Sequence, residues 1–285
     1  MGLAIAITSA VLLALANLTL KKSYKNFTPT IAFLFFAVFS FFIWSLTGLL
    51  LGVKFEYFGE SLVYGLISAV LAQAFYIYAL SKGELSITSS ILATFPIYTI
   101  VFSFFINGES LNKTQAIFAG ITILGTIVIS IPEKISKEDI VNTKYLLVPL
   151  AAAISIGFSD ALTKKLIDQS SAGTFLLGCA IMQVPVAFVL MKLMKERFSQ
   201  FGSFDNLVKS YRPALLGAFL VAVHTMTIFI AFSFAPASVV SPIIGGAAPV
   251  LTVALSLFIL KESISVKDLI SIALILAGII GISIL

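Results

Sequence analysis

A segment of this chain occurs twice. The stretch Pro96–Ile131 recurs without a gap as Pro249–Ile284, 153 positions later. Both copies carry a proline within an apolar run, a Glu-Ser pair at the following turn and then a second apolar run. The residues that are identical in the two copies are Pro96, Thr99, Ser103, Phe105, Ile106, Glu109, Ser110, Ile117, Gly125, Ile127, Ile129, Ser130 and Ile131 in the first. The fold must therefore hold one structural unit in two copies.

The composition indicates that this unit lies in a membrane. Hydrophobic residues make up 59% and charged residues 11% of the chain, and the mean hydropathy is +1.10, far outside the range of soluble domains. Apolar segments of about 20 residues can cross the hydrocarbon core as helices, and they are too long and too continuously apolar for barrel strands. The sequence contains ten: Gly2–Leu20, Thr30–Val53, Glu60–Ser81, Ser86–Ile106, Lys113–Ile131, Lys144–Lys165, Ser171–Lys195, Tyr211–Ala235, Ala237–Leu260 and Val266–Leu285.

The repeat extends, with weaker similarity, to two halves of five helices each. Asn17 stands four residues before Lys21-Lys22, and Asp160 stands four residues before Lys164-Lys165, which aligns the first and sixth helices. We expect the first repeat at 1–131, a connecting loop at 132–143 and the second repeat at 144–285. Because five is odd, the second repeat enters the membrane from the opposite side. The predicted fold class is an all-α membrane protein with ten transmembrane helices in two inverted five-helix repeats, an arrangement typical of transporters.

The basic residues predict topology. The net charge is +5, and all but four of the 18 Lys and Arg residues fall in or beside the odd-numbered loops. The positive-inside rule then places those loops in the cytoplasm and both termini outside. The longest polar breaks, Pro132–Thr143 and Glu196–Ser210, are too short for a soluble domain. We expect a multi-pass protein of the cell membrane whose partners are the lipid bilayer and a small-molecule substrate, not a nucleic acid.

Several motifs resemble those of the drug/metabolite transporter superfamily, in particular its ten-helix members with two EamA-type domains. The first copy carries the run Tyr78-Ala-Leu-Ser-Lys-Gly-Glu-Leu-Ser-Ile-Thr-Ser-Ser, Pro96, Glu109, Gly120 and Gly125. The second carries Ala231-Phe-Ser-Phe-Ala-Pro-Ala-Ser-Val-Val-Ser-Pro, Pro249, Glu262 and Gly278. The resemblance covers the whole chain and implies fold better than substrate.

Two features depart from that family's pattern. Family members commonly carry a basic loop between the second and third helices and have cytoplasmic termini, whereas this chain has only Lys54 there. The resemblance thus favours termini inside, against the charge count. A tryptophan typical of the first helix is also missing at Ala14–Asn17, which would change the shape of the cavity.

The resemblance implies that the first, third, fourth, sixth, eighth and ninth helices line a central cavity. Polar side chains inside a membrane are costly, so they indicate function or bonds between helices. For Gln73 the alternative to substrate contact is a hydrogen bond from its side-chain amide to another helix. For Tyr76 and Tyr98 the alternative is packing. His224, the only histidine, fits proton coupling or a neutral imidazole bonded to a neighbouring helix. The predicted substrate-binding residues are Asn17, Gln73, Tyr76, Thr94, Tyr98, Asp160, His224 and Thr225.

Asp160 is the strongest charged candidate, since a carboxylate within a transmembrane helix needs a partner. Lys164 stands at i+4 and offers a local ion pair near the membrane surface, with the lysines extending outward. The functional alternative is a protonatable group that binds a cationic or zwitterionic substrate or carries the coupling ion.

Prolines and glycines predict bending points in the equivalent fourth and ninth helices. A proline within a helix removes a backbone hydrogen bond, so Pro96 and Pro249 are predicted hinges, together with Gly245 and Gly246. Glu109 and Glu262 are expected to cap the next helix or to pair with Lys113 and Lys267. Small residues at Ala116 and Gly120, and at Ala273, Ala277 and Gly281, predict tight contact between the halves or within a homodimer.

We predict a secondary transporter that moves a small polar metabolite, such as an amino acid or related zwitterion, by alternating access. The resemblance implies export. No Gly-x-x-x-x-Gly-Lys-Ser/Thr motif is present, so no cofactor is expected and the driving force is proton coupling or exchange. The alternatives are a lipid flippase, a channel-like permease or an intramembrane enzyme. The sequence lacks His-Glu-x-x-His, Gly-x-Ser-Gly and a second histidine or cysteine, so it gives the enzyme little support.

Overall fold

A computed structural model describes residues 1–23, 28–80, 91–92, 94–130, 143–195, 204–260 and 265–284. Ten helices are formed within these ranges. The third has three consecutive sections, of which the middle one is π-helical. The helices are α1 (Gly2–Ser23), α2 (Pro29–Leu51), α3 (Phe58–Ser68, Ala69–Ala74 and Phe75–Leu80), α4 (Phe95–Asn107), α5 (Lys113–Ser130), α6 (Thr143–Gln169), α7 (Ala172–Leu193), α8 (Phe204–Phe232), α9 (Ala237–Leu260) and α10 (Val266–Ile284).

The all-helical prediction is confirmed, and α9 has the predicted bounds. Helix α8 begins at Phe204, inside the stretch predicted to be a polar break, because apolar residues at helical spacing extend the helix beyond its membrane core. The first part of the predicted fourth helix lies outside the described residues. Four described segments are long and apolar enough to cross a membrane by length and composition: Thr30–Leu51, Leu147–Gln169, Ala172–Leu193 and Arg212–Phe232.

The packing of the helices has an internal twofold pattern. Helix α1 packs against α8 and α9, and its counterpart α6 packs against α3 and α4. The pairs α2–α7 and α5–α10 each join a helix to its own counterpart in the other half. This exchange of equivalent partners is what two inverted five-helix repeats require, so the predicted architecture is confirmed.

The two termini and the even-numbered loops lie on one side of the bundle, which we call the terminal face. It includes Met1, the loops at 52–57, 108–112 and 233–236, and the junction of α6 with α7. Polar contacts join neighbouring loops here: Ser171 Oγ donates to the Gly52 carbonyl at 2.8 Å, and the Lys54 amide donates to Thr174 Oγ1 at 2.9 Å. The side chain of Ser171 also caps α7 by accepting from the Thr174 amide.

The core is apolar and centred on Trp44, the one tryptophan of the sequence. Its indole Nε1 donates to the Ala222 carbonyl at 2.8 Å, so α2 is bonded to α8. Its ring makes edge contacts with Phe36 and Phe229. A buried indole whose N–H is satisfied and whose faces are packed fixes the relation of these two helices.

Small residues do bring α5 and α10 together, but not all at the predicted positions. A Cβ on Gly278 would lie 2.1 Å from Thr122 Oγ1, and one on Gly281 would lie 2.3 Å from the Phe118 ring. Gly120 has open space around it instead. Of the predicted small residues, Gly281 packs the two halves against each other, whereas Gly120 faces away because the contacting face of α5 carries Phe118, Thr122 and Gly125.

Candidate functional site

Asp160 lies where helices of the two repeats meet. Its Oδ2 accepts hydrogen bonds from Thr99 Oγ1 on α4 at 3.2 Å and from Ser241 Oγ on α9 at 3.0 Å. Both hydroxyl residues are buried, and Asp160 itself is half-buried. Because α4 and α9 are equivalent helices, one carboxylate on α6 is shared between the two halves of the molecule.

The alternative interpretation of Asp160 as the partner of Lys164 is wrong in this structure. Lys164 forms its ion pair with Asp168, one helical turn closer to the terminal face. Asp160 forms no ion pair with any cation among the described residues. The carboxylate is instead stabilised by two hydroxyl donors, which can adapt to a charged or a protonated acid.

The close approach of α6 to α4 depends on Gly157. A Cβ at this position would lie 2.6 Å from the backbone nitrogen of Thr99 and from Tyr98 Cβ, so only glycine allows this helix crossing. Further along the same contact, Asn107 Nδ2 donates to the Ala161 carbonyl at 3.0 Å.

Sequence reasoning missed Thr99, Asn107 and Ser241 as site residues. A signal was present, since Thr99, Ser103 and Asn107 recur every four residues in an otherwise apolar helix and thus share one face. Thr99 and Ser103 are also matched in the second repeat. Ser241 has no comparable signal, because its role depends on how α9 packs across the repeat boundary.

Glu109 connects the two repeats a second time. Its Oε1 accepts from the Ala237 amide at 3.0 Å and its Oε2 accepts from the Ser238 amide at 2.9 Å. A carboxylate on the free amides of a helix N-terminus satisfies orphan donors and opposes the positive end of the helix dipole. Gly108, with φ 68°, ends α4 in a left-handed turn just before this contact.

The expectation that Glu109 caps the next helix or pairs with Lys113 is therefore wrong. Helix α5 is capped by a reciprocal pair, in which the Gln115 amide donates to Asn112 Oδ1 at 2.8 Å and the Asn112 amide donates to Gln115 Oε1 at 3.2 Å. Glu109 is therefore free to accept hydrogen bonds from the first amides of α9. Its repeat counterpart, Glu262, lies outside the described residues.

His224 connects α1 and α8. Its Nδ1 lies 2.8 Å from both Ser9 Oγ and the Ser9 carbonyl, and Ser9 Oγ donates to the His224 carbonyl at 2.9 Å. These contacts support the interpretation of a buried imidazole bonded to a neighbouring helix. The neighbouring Thr225 is also buried. Coupling through His224 and substrate contact by Thr225 stay predictions.

Gln73 lies in the π-helical section of α3 and joins it to α7. Its Oε1 accepts from Gln183 Nε2 at 2.6 Å, and its Nε2 donates to Ser68 Oγ at 3.3 Å. This geometry supports the interpretation of an amide that bonds two helices. Sequence reasoning missed Gln183, a fully buried polar residue within an apolar helix.

The other predicted residues are spread over α1, α3 and α4. Tyr76 packs with an apolar cluster between α3 and α6. Thr94 Oγ1 donates to the Ile91 carbonyl at 2.6 Å, and Tyr98 is half-buried beside Gly157. Asn17 is half-buried on α1, at the position that the repeat aligns with Asp160. Only Tyr98 is thereby brought next to the Asp160 contact.

The two predicted proline hinges differ in position. Pro249 lies inside the continuous helix α9, whereas Pro96 is the second residue of α4 and follows a turn at Thr94. Pro96 is therefore not within a helix as predicted, and it costs α4 no hydrogen bond because the first amides of a helix are unpaired. A Cβ on Gly245 would lie 2.8 Å from Pro96 Cγ, and one on Gly246 would lie 2.5 Å from Thr122 Cγ2. The hinge roles stay predictions.

The sequence as a whole matches one protein family. The EamA-like transporter family matches residues 1–131 and 143–284. The chain belongs to the EamA-like transporter family. It is therefore an integral membrane protein and a membrane transporter of the drug/metabolite type. None of the curated proteins matches it. One solved structure, described only as "Crystal structure of protein", resembles it with a TM-score of 0.79 and 18% identity over 99% of this chain and 97% of that chain. That likeness supports the fold alone.

We expect Gly157→Ala to weaken the α4–α6 contact of this family member. The added methyl group overlaps the backbone of α4, and overpacking of this kind costs about 1–3 kcal/mol. The measurement is the thermal unfolding midpoint of the purified protein in detergent. The matched control is Gly120→Ala, also within a helix but in open space. A midpoint for Gly157→Ala equal to that of the control would contradict the close crossing.

Proposed function

We propose that this transporter is a multi-pass secondary transporter of the cell membrane that exports a small polar metabolite of the amino acid or related zwitterion class. Transport proceeds by alternating access and is driven by proton coupling or by exchange. The observation that carries this proposal is the Asp160 carboxylate, held by two hydroxyls at the boundary between the repeats.

The chemistry of Asp160 supports the proposal. A carboxylate in a membrane-embedded bundle is expensive unless its charge is matched. Thr99 and Ser241 supply hydrogen bonds but no positive charge. The missing charge can be supplied by a proton or by the ammonium group of a substrate. Competition between the two for one acid is a direct way to couple substrate movement to a proton gradient.

The contacts of the terminal face support alternating access. Asp160 bonds α6 to α4 and α9, Asn107 bonds α4 to α6, and Glu109 bonds the end of α4 to the start of α9. In the proposed cycle these bonds keep the terminal side of the bundle closed. An inverted repeat can form the equivalent closure on the opposite side by exchanging the conformations of its halves. Opening the terminal face requires these bonds to break, which a substrate or proton on Asp160 would favour.

Counterflow in proteoliposomes tests the proposal. Vesicles preloaded with one of a panel of unlabelled amino acids and small metabolites are mixed with a trace of the labelled compound, with and without a proton gradient. We expect saturable accumulation of at least one zwitterionic compound. Flux that does not saturate would indicate a channel, and transfer of labelled phospholipid between leaflets without counterflow would indicate a flippase. Either result would overturn the proposed mechanism.

A further inference from the structure

We propose that a groove between α3 and α6 at the terminal face binds the headgroup of a phospholipid that carries both a phosphate and a primary ammonium, as phosphatidylethanolamine does. The groove has a volume of about 620 Å³ and lies where α3 begins and α6 ends. It is separate from the Asp160 contact and does not depend on the transported substrate.

One face of each helix lines the groove. On α3 the lining residues are Glu60, Val63, Tyr64 and Ile67, which follow the i, i+3, i+4, i+7 spacing of a single helical face. On α6 they are Leu162, Lys165 and Gln169, on one face in the same way. The two helix faces lie opposite each other and leave an open groove between them.

Polarity is graded along both faces. Glu60 and Gln169 lie at the helix ends nearest the surface, whereas Ile67 and Leu162 lie about 10 Å deeper, given a rise of 1.5 Å per residue. Val63 is 58% exposed on the same side of α3. In an integral membrane protein the helix ends lie at the level of the lipid headgroups, and the deeper apolar part faces the acyl chains. The gradient thus matches a phospholipid molecule.

The charges of the groove are available to a ligand. Of the two adjacent lysines, Lys164 is paired with Asp168, whereas Lys165 lines the groove. Neither Lys165 nor Glu60 forms an ion pair within the part of the chain that the structure describes. A phosphate can therefore accept hydrogen bonds from Lys165 and Gln169, and an ammonium group can donate to Glu60. Ethanolamine has N–H donors for Glu60, choline has none, and a glycerol headgroup has no positive charge.

At the equivalent place in the other half, between α8 and α1, a Cβ on Gly217 would be 2.7 Å from Leu20 Cδ2. The described parts of these two helices are therefore in direct contact at that point.

Native mass spectrometry of the purified protein, titrated with three lipids of identical acyl chains, tests the site. The lipids are phosphatidylethanolamine, phosphatidylcholine and phosphatidylglycerol, and we expect the wild type to retain them in that order. Lys165→Gln is expected to lower the affinity for all three lipids roughly tenfold, because each of them carries the phosphate. Glu60→Gln should lower ethanolamine binding most, because both a hydrogen bond and a charge are lost, should lower choline binding less, and should not weaken glycerol binding. Lys192→Gln, which removes an exposed lysine at the other end of the bundle, is the control.

The affinities of the wild type and its variants for the three lipids distinguish a specific headgroup site from non-specific lipid binding. Glu60 is exposed and Lys165 is half-buried, and intact folding of both variants is checked by their thermal unfolding midpoints. Equal retention of the three lipids by the wild type would overturn the proposal. The same loss for Lys192→Gln as for Lys165→Gln, or unchanged ethanolamine binding in both groove variants, would overturn it as well.

Discussion

Replacing Asp160 with asparagine is expected to lower the initial rate of substrate counterflow by about tenfold or more, because loss of a hydrogen-bonded charge costs about 1.5–3 kcal/mol. Asparagine keeps the size of the side chain and an oxygen that accepts from Thr99 and Ser241. The three-helix contact should therefore persist, and the protein should elute and unfold as the wild type does. What the variant cannot do is gain a proton or attract an ammonium group.

Asp168→Asn is the matched control for this experiment. The residue lies on the same helix two turns away and is paired with Lys164, outside the contact between the repeats. Its counterflow should stay within about twofold of the wild type, because Asp168 is exposed and lies outside the contact between the repeats. If Asp160→Asn transports normally, or if its unfolding midpoint falls in proportion to its rate, the carboxylate is a structural group and not a transport group.

A proton gradient provides an independent test of the same residue. Stimulation of uptake by the gradient should disappear in Asp160→Asn and persist in His224→Ala. The reason is that the imidazole is bonded to Ser9 in the contact between α1 and α8, away from the boundary of α4 with α9. Loss of stimulation in His224→Ala alone, with an unchanged unfolding midpoint, would transfer the coupling role to the histidine.

The sequence predicts the helices well because their determinants are local. Apolar length and the absence of charge set most bounds within a few residues, and the repeat of Pro96–Ile131 predicts the inverted architecture. Helix α8 departs from the prediction because amphipathic turns before Tyr211 extend it outside the apolar window. A hydropathy threshold finds the membrane core of a helix and not its full length.

The sequence predicts the site less well because its determinants are not local. The sequence indicates that the Asp160 carboxylate needs a partner and offers Lys164 at i+4, but it does not indicate the two hydroxyls. The partner was settled by the crossing of α6 over α4 at Gly157, which no spacing within α6 reveals. Glu109 was assigned to the nearest helix in sequence, whereas its hydrogen bonds go to a helix that begins more than a hundred residues later.

Glu109→Gln is expected to loosen the terminal face and to speed hydrogen exchange at Ala237 and Ser238. Glutamine offers one oxygen where the carboxylate offers two, and it lacks the charge that opposes the helix dipole. The loss of about 1–2 kcal/mol predicts exchange roughly 5–30 times faster, because local opening frees these two amides. The measurement is hydrogen–deuterium exchange of the peptide that contains Pro236–Ser241 in detergent or nanodiscs.

Asp268→Asn separates this effect from capping in general. Asp268 also caps a helix, but within a single element, because its Oδ2 accepts from the Ser265 amide at 3.2 Å and the Ser265 hydroxyl at 2.8 Å. Its removal should speed exchange at the start of α10 and leave Ala237 and Ser238 unchanged. A cap that bridges the repeats biases the balance between the closed and open terminal face, whereas a cap within one helix does not. Glu109→Gln should therefore also alter transport, and unchanged transport with faster exchange would reduce Glu109 to a stabilising contact.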